Sequence, residues 1–231
     1  MSWLFPSGLK CLICSNEIVS DKKINLCNKC LAHLPKVVSS HCLKCGEPVT
    51  IDSKYCVHCK KEMPAFVKCV SPFLFEGDVI KLVHGLKYSN KQYYAKTMSA
   101  LLLSCVLEQN INFDIVIPVP LSQTRLRERG FNQSQALCSE FARCGFAVCD
   151  SAVVRSKNTS TQTNLTKAER KLNVENAFSV VDKNVLKNKT VLVVDDVYTT
   201  GATLNSITQT LLKAGAKQVY GATFAHTVIK N

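Results

Sequence analysis

Val191-Leu192-Val193-Val194-Asp195-Asp196-Val197-Tyr198-Thr199-Thr200-Gly201-Ala202-Thr203 is the stretch that decides how the chain reads. A continuous apolar run of this length suits a strand buried on both faces of a parallel sheet. It delivers two adjacent carboxylates at its C-terminal end. A turn rich in hydroxyls follows, then a helix over residues 202–214 that Gly215 stops. Ligands of open α/β sheets collect at such strand ends. The free N–H groups and the dipole at the following helix N-terminus favour an anion. Gly201 permits close backbone approach, and Thr199, Thr200 and Thr203 add hydroxyl donors. Asp195 and Asp196 repel a phosphate but suit sugar hydroxyls or Mg2+. The ligand implied has a phosphate, a polyol and a metal, as a phosphorylated ribose does.

Upstream, the same alternation recurs. Residues 73–75 read as a short strand, and Asp78 caps a helix through Tyr88. A longer helix covers 91–108. Residues 113–117 form a buried strand stopped by Pro118 and Pro120, and a second amphipathic helix covers 133–144. A short strand covers 152–155, the stretch 190–194 is a strand, and the last strand covers 218–224. Residues 156–173 are polar and long for a structureless connection, which suggests a functional segment. Strands alternating with helices predict an α/β fold, a mostly parallel sheet with helices on both faces.

Residues 1–64 are different. Eight of the thirteen cysteines fall there in four pairs: Cys11/Cys14, Cys27/Cys30, Cys42/Cys45 and Cys56/Cys59, separated by 12, 11 and 10 residues. Two residues between thiols let one turn present both to a tetrahedral ion, and the intervening lengths suffice for a short hairpin. The economical reading is two consecutive zinc ribbons, Cys11/14/27/30 and Cys42/45/56/59. An interleaved pairing and a single ion remain open, and His33, His41 and His58 are near enough to replace a thiol. Four thiolates leave no open coordination position, so the zinc is structural. The chain thus divides into a small zinc-ribbon domain, residues 1–64, and an α/β domain, residues 65–231.

The formal charge is +12 over 231 residues. Residues 1–64 carry nine Lys and five acids, and two zinc centres of four thiolates each would cancel their +4. Residues 65–231 carry 20 basic and 12 acidic residues, so the positive field of +8 sits on the larger domain. It suits anionic ligands, phosphates or nucleic acid. No run approaches the roughly 20 apolar residues of a membrane helix, and residues 1–10 lack the core of a secretory signal. A cytoplasmic protein without a transmembrane segment is expected.

The 191–203 segment resembles the phosphoribosyl-diphosphate (PRPP) signature of type I phosphoribosyltransferases. Pro118-Val119-Pro120-Leu121 followed by Arg129-Gly130-Phe131-Asn132-Gln133 resembles the ComF family, as do Gln162-Thr163-Asn164-Leu165 with Arg170, Phe75-Glu76-Gly77 and Leu86-Lys87-Tyr88. That family is associated with natural transformation and the use of DNA. The resemblance implies a type I phosphoribosyltransferase-like fold in which residues 199–203, Ala202 included, cradle the 5′-phosphate of PRPP. Asp195 and Asp196 would hold the ribose hydroxyls, directly or through Mg2+. Val119 and Pro120 match the pyrophosphate loop, whose exposed N–H groups suit that anion. Arg125, Arg127 and Arg129 would share one face of an extended segment, and some of them, Arg129 first, would reach it; Arg125 and Arg127 read equally as a solvated basic face. Residues 156–173 match the lid, with Arg170 closing over the pyrophosphate, and Lys87 is a further candidate for the same anion. The resemblance also implies PRPP, single-stranded DNA and the uptake machinery at the inner membrane as partners, with Tyr55, Tyr93 and Tyr94 available to stack on bases. Two other readings stand beside it: a true transferase on a base or nucleic-acid acceptor, and a PRPP-sensing regulator without turnover.

Overall fold

The computed structural model describes residues 9–18, 24–38, 40–88, 92–156 and 177–228. Its centre is strand β6, Thr190–Tyr198, between β3 (Ile115–Pro118) and β7 (Gln218–His226). The two-residue strands β1 (Cys69–Val70) and β2 (Phe73–Leu74) pair with the far side of β7, and every pairing is parallel. Residues 147–149 continue the sheet beyond β3 through Val116 N–H to Ala147 O and Cys149 N–H to Val116 O, both 2.8–2.9 Å.

Alternation along β6 sorts the core into two layers. Leu192 and Val194 join Val116 and Phe224 beneath helices α3 (Asp78–Tyr88) and α4 (Gln92–Glu108). Val191 and Val193 join Ile115, Ile117 and Val219 beneath α8 (Ala202–Lys213). Helix α3 buries Val79, Leu82, Val83 and Leu86, the i, i+3, i+4, i+7 stripe that a core-facing helix needs. The expected parallel sheet with helices on both faces is what forms.

Three local expectations are corrected. Residues 123–129, read as extended, form helix α5 (Gln123–Arg129). Ser122 caps it by accepting from Arg125 N–H, and Gly130, at φ 75°, closes it with its N–H on Leu126 O. The helix expected over 133–144 is two pieces, α6 (Gln133–Ala136) and α7 (Ser139–Arg143). Ser99 of α4 inserts between them, donating to Leu137 O at 2.6 Å and accepting from Glu140 N–H at 2.9 Å. A side chain in the ladder breaks the helix there. The strand expected near 152–155, β4 (Val153–Arg155), leaves the main sheet and pairs antiparallel with β5 (Phe178–Val180). Ser156 N–H bonds Ala177 O at 2.9 Å, so the chain departs and returns at one place. Residues 157–176, Arg170 and most of the expected lid among them, lie outside the described residues.

The Cys-rich segment packs against the sheet at both layers. Leu26, Leu34 and Cys11 join the α3/α4 layer, whereas Cys42, Cys45, Cys56 and Cys59 join the α8 layer. The connecting backbone is stitched to β1 and β2: Cys69 N–H to Lys44 O, Val37 N–H to Pro72 O and Leu74 N–H to Pro35 O, at 2.7–3.2 Å. No described helix is long and apolar enough to cross a membrane.

Candidate functional site: two thiolate clusters and a cationic cleft

The cysteines converge as the consecutive pairing requires. The sulfurs of Cys11, Cys14, Cys27 and Cys30 all lie within 4.8 Å of one another, and so do those of Cys42, Cys45, Cys56 and Cys59. Cys14 to Cys27 is 3.9 Å and Cys45 to Cys56 is 3.7 Å. A tetrahedral zinc with Zn–S near 2.3 Å sets its sulfurs about 3.8 Å apart, so both sites fit the ion. Helices α1 (Asn28–Ala32) and α2 (Val57–Lys61) begin at Cys27 and Cys56, each of whose sulfur accepts the N–H three residues on. His33 and His41 point Nδ1 at backbone carbonyls, Lys29 O and Val38 O, and the two clusters contain cysteine alone. Within the second cluster, hydrogen bonds with Cys45 and Cys59 drive the Cys42 thiol down, and those with Cys42 and Cys59 drive Cys45 up. Four thiols forced to share charge in this way are the donor set that a dication satisfies.

The second centre is a cleft at the C-terminal ends of β3 and β6, enclosing about 150 Å³. Asp195 stands at its floor. Its Oδ1 accepts from Ser134 Oγ at 2.8 Å and from Asp196 N–H at 2.9 Å. Burial, and next the charge of Asp196, push its carboxyl up to about 7, while the Ser134 bond and Lys87 oppose the rise. Asp196 Oδ1 accepts from Val197 N–H at 2.7 Å, and its Oδ2 faces Lys87 Nζ at 2.8 Å. Val197 packs with the α3/α4 layer and Tyr198 with the α8 layer.

Four cations line the cleft, Lys87, Arg125, Arg129 and Arg155, against the two carboxylates. Burial, then the neighbouring guanidinium, lowers the pKa of both Arg125 and Arg155. Such crowding is relieved by an anion. Arg127 does not line the cleft. On a helix, positions 125 and 129 share a face and 127 does not, which corrects the expectation that the three share one face of an extended segment.

The Arg129–Ser134 segment organises the rest. Arg129 donates to Gln133 Oε1 at 2.8 Å, Asn132 Nδ2 to Val119 O at 3.1 Å, and Ser134 to Asp195. Val119 lines the cleft and Pro120 does not. Val119 N–H bonds Val194 O at 2.9 Å and proline has no N–H, so the expected free amides of this turn begin only at Leu121. Of the residues in the turn after β6, Thr199, Gly201 and Thr203 line the cleft. Thr200 and Ala202 bond to each other instead, with Thr200 Oγ1 accepting Ala202 N–H at 3.4 Å. Ser134 and Arg155 escaped the sequence reading. Ser134 follows the Asn132 cap and is found only by following the Arg-Gly-Phe-Asn-Gln motif one residue further. Arg155 carries no local signal, because its strand is defined by a partner 23 residues away.

Residues 1–60 match the double zinc ribbon domain and residues 89–228 the phosphoribosyl transferase domain. The chain is 30% identical over 219 residues to competence protein F of Haemophilus influenzae, covering 92% of this chain and 94% of that one. The chain belongs to the ComF family. This ComF chain is also 33% identical over 215 residues to the DNA utilization protein YhgH of Escherichia coli (strain K12), across 90% of its own length and 86% of that protein's. Among solved structures it is similar to the allosteric regulatory enzyme of purine biosynthesis. That match has a TM-score of 0.40 at 19% identity, over 61% of this chain and 30% of the other.

Proposed function

We propose that the cleft binds PRPP with Mg2+, and that the protein serves a cytoplasmic step in handling imported single-stranded DNA. The observation that carries the first part is the excess of cations around Asp195 and Asp196, beside a Gly201-containing turn at the N-terminus of a 12-residue helix. Thr199, Gly201 and Thr203 would take the 5′-phosphate, and the two aspartates the ribose hydroxyls. Arg125, Arg129 and Arg155 would take the diphosphate, joined on closure by Arg170. Bound Mg2+ would neutralise charge that develops on departing pyrophosphate. Residues 1–64 would brace this domain with structural zinc, and residues 65–231 would carry the ligand.

The second part rests on the relatives' names and on the +8 charge of residues 65–231. Half-exposed Tyr93 beside Tyr94, with ring centroids 6.2 Å apart, offers a face for a stacked base. The uptake machinery at the inner membrane would be the source of that strand.

Calorimetric titration of PRPP with Mg2+ into zinc-replete protein, beside the Asp195→Asn/Asp196→Asn double variant, tests the reading. Binding by the wild type and its loss in the variant are expected. A folded, zinc-loaded wild type that does not bind overturns the reading.

A further inference from the structure

We infer that Tyr198 is an additional phosphate-binding residue, its phenol O–H completing the anion cradle formed by residues 199–203. The inference rests on the PRPP reading above and deepens it. Tyr198 is 6% exposed, yet it lines the cleft. Its ring is gripped on two sides. It stacks on the His226 imidazole, with centroids 4.7 Å apart and planes 18° off parallel, and Phe66 meets it edge-on at 6.4 Å. It packs in the α8 layer of the core.

Its hydroxyl ends directly beneath the turn. A Cβ at position 201 would overlap Tyr198 Oη and Cζ, so glycine is required there both for φ 74° and for the space the phenol occupies. The described residues give the hydroxyl no hydrogen-bond partner, and it is not one of the fully buried unpartnered atoms, so it opens on the cleft. A charged ligand acceptor there is a stronger partner than solvent. An oxygen of a phosphate bound at the N-terminus of α8 is the acceptor within reach of that position. Phenylalanine would keep the ring and its grip and lose only the donor.

The grip also reaches the second thiolate cluster. Gly46, at φ 85° between ligand Cys45 and Glu47, lies against His226, with the position of a Cβ there 3.7 Å from Cδ2. Glu47 Oε2 is 3.6 Å from His226 Nδ1. The ribbon thereby fixes the imidazole that fixes the phenol.

The test compares wild type and Tyr198→Phe by calorimetry with two probes, ribose 5-phosphate and Mg-pyrophosphate, after metal analysis shows two zinc equivalents in each. Ribose 5-phosphate affinity is expected to fall about 10-fold to 100-fold in the variant, the size of a hydrogen bond to a charged group. Mg-pyrophosphate, which lacks the 5′-phosphate, is expected to bind both proteins equally. Equal affinity of the two proteins for ribose 5-phosphate overturns the inference. So does a parallel loss with both probes, which marks a collapsed turn. A wild type that binds neither probe overturns the PRPP reading itself and removes the basis of this one.

Discussion

The second four-cysteine cluster and the Asp195–Asp196 pair are both concentrations of acid inside the fold, and they are settled in opposite ways. At Cys42, Cys45, Cys56 and Cys59 all four residues are buried and their sulfurs close on one point. A tetrahedral ion there leaves nothing exposed to solvent. At Asp195 and Asp196, one carboxyl holds onto its proton up to about pH 7 and the other leans on Lys87, with three arginines around them. With an ion bound, the first arrangement is closed and would supply folding energy. The second holds more cations than carboxylates, an excess that suits an anionic ligand. The same fold sets negative charge once as a fastener for an ion and once inside a mixed-charge cleft.

The comparison is broken most directly at the fastener. Zinc contributes on the order of 10–16 kcal/mol in peptides folded around such a site. Cys45→Ser is therefore expected to bring the zinc content from two equivalents to one and to abolish the cooperative thermal transition of the α8 layer, as metal analysis and calorimetric melting would show. Unchanged melting would mean that the buried cluster is not a fastener.

Asp195→Asn sharpens the other half. The folded pKa of Asp195 is raised, so its charge opposes folding. The opposition is absent below the unfolded value near 3.8, grows as pH rises, and is complete above about 7. A rise from 3.8 to about 7 corresponds to about 4 kcal/mol. The variant keeps the acceptor for Ser134 and removes the charge. Melting of the unliganded proteins at pH 5 and pH 8 is expected to show the variant gaining stability over wild type as pH rises, while Mg-dependent PRPP binding disappears. A pH-independent difference would remove the strain from the account.

The smallest effect is expected at Ser134→Ala. Loss of one hydrogen bond to a carboxylate costs about 1.5–3 kcal/mol in the ionised state. PRPP binding near neutral pH should weaken about 10-fold, with little change in melting at pH 5, where Asp195 is protonated. An equal loss of stability at pH 5 would assign Ser134 to packing instead.

Most of this architecture is visible along the chain, for reasons that differ by element. Strand β6 announces itself because a strand buried on both faces must be apolar throughout. The thiolate clusters do so because ligand spacing is imposed by one small ion. Helix α5 hides because seven residues carry no apolar period, and only the Ser122–Gly130 cap pair marks its ends. The break between α6 and α7 is invisible because its cause, Ser99, lies 38 residues from the carbonyl it takes. In the site, Lys87 and the residues of the motifs are readable, whereas Ser134 lies one residue past its motif and Arg155 arrives from another strand. The role given to Tyr198 depends on its contacts with Phe66 and His226, which no local pattern encodes.

The backbone bonds from residues 35–37 and from Lys44 to strands β1 and β2 have a consequence for what the metal-free chain can do. Those strands are two residues long and form the outer border of a parallel sheet. A border of unpaired N–H and C=O groups is a template for another chain. Here the connection between the two ribbons lies over that template, with a four-thiolate cluster on either side of it. If the ions that these thiolates suit are removed, the connection loses its anchors and the strand border is exposed.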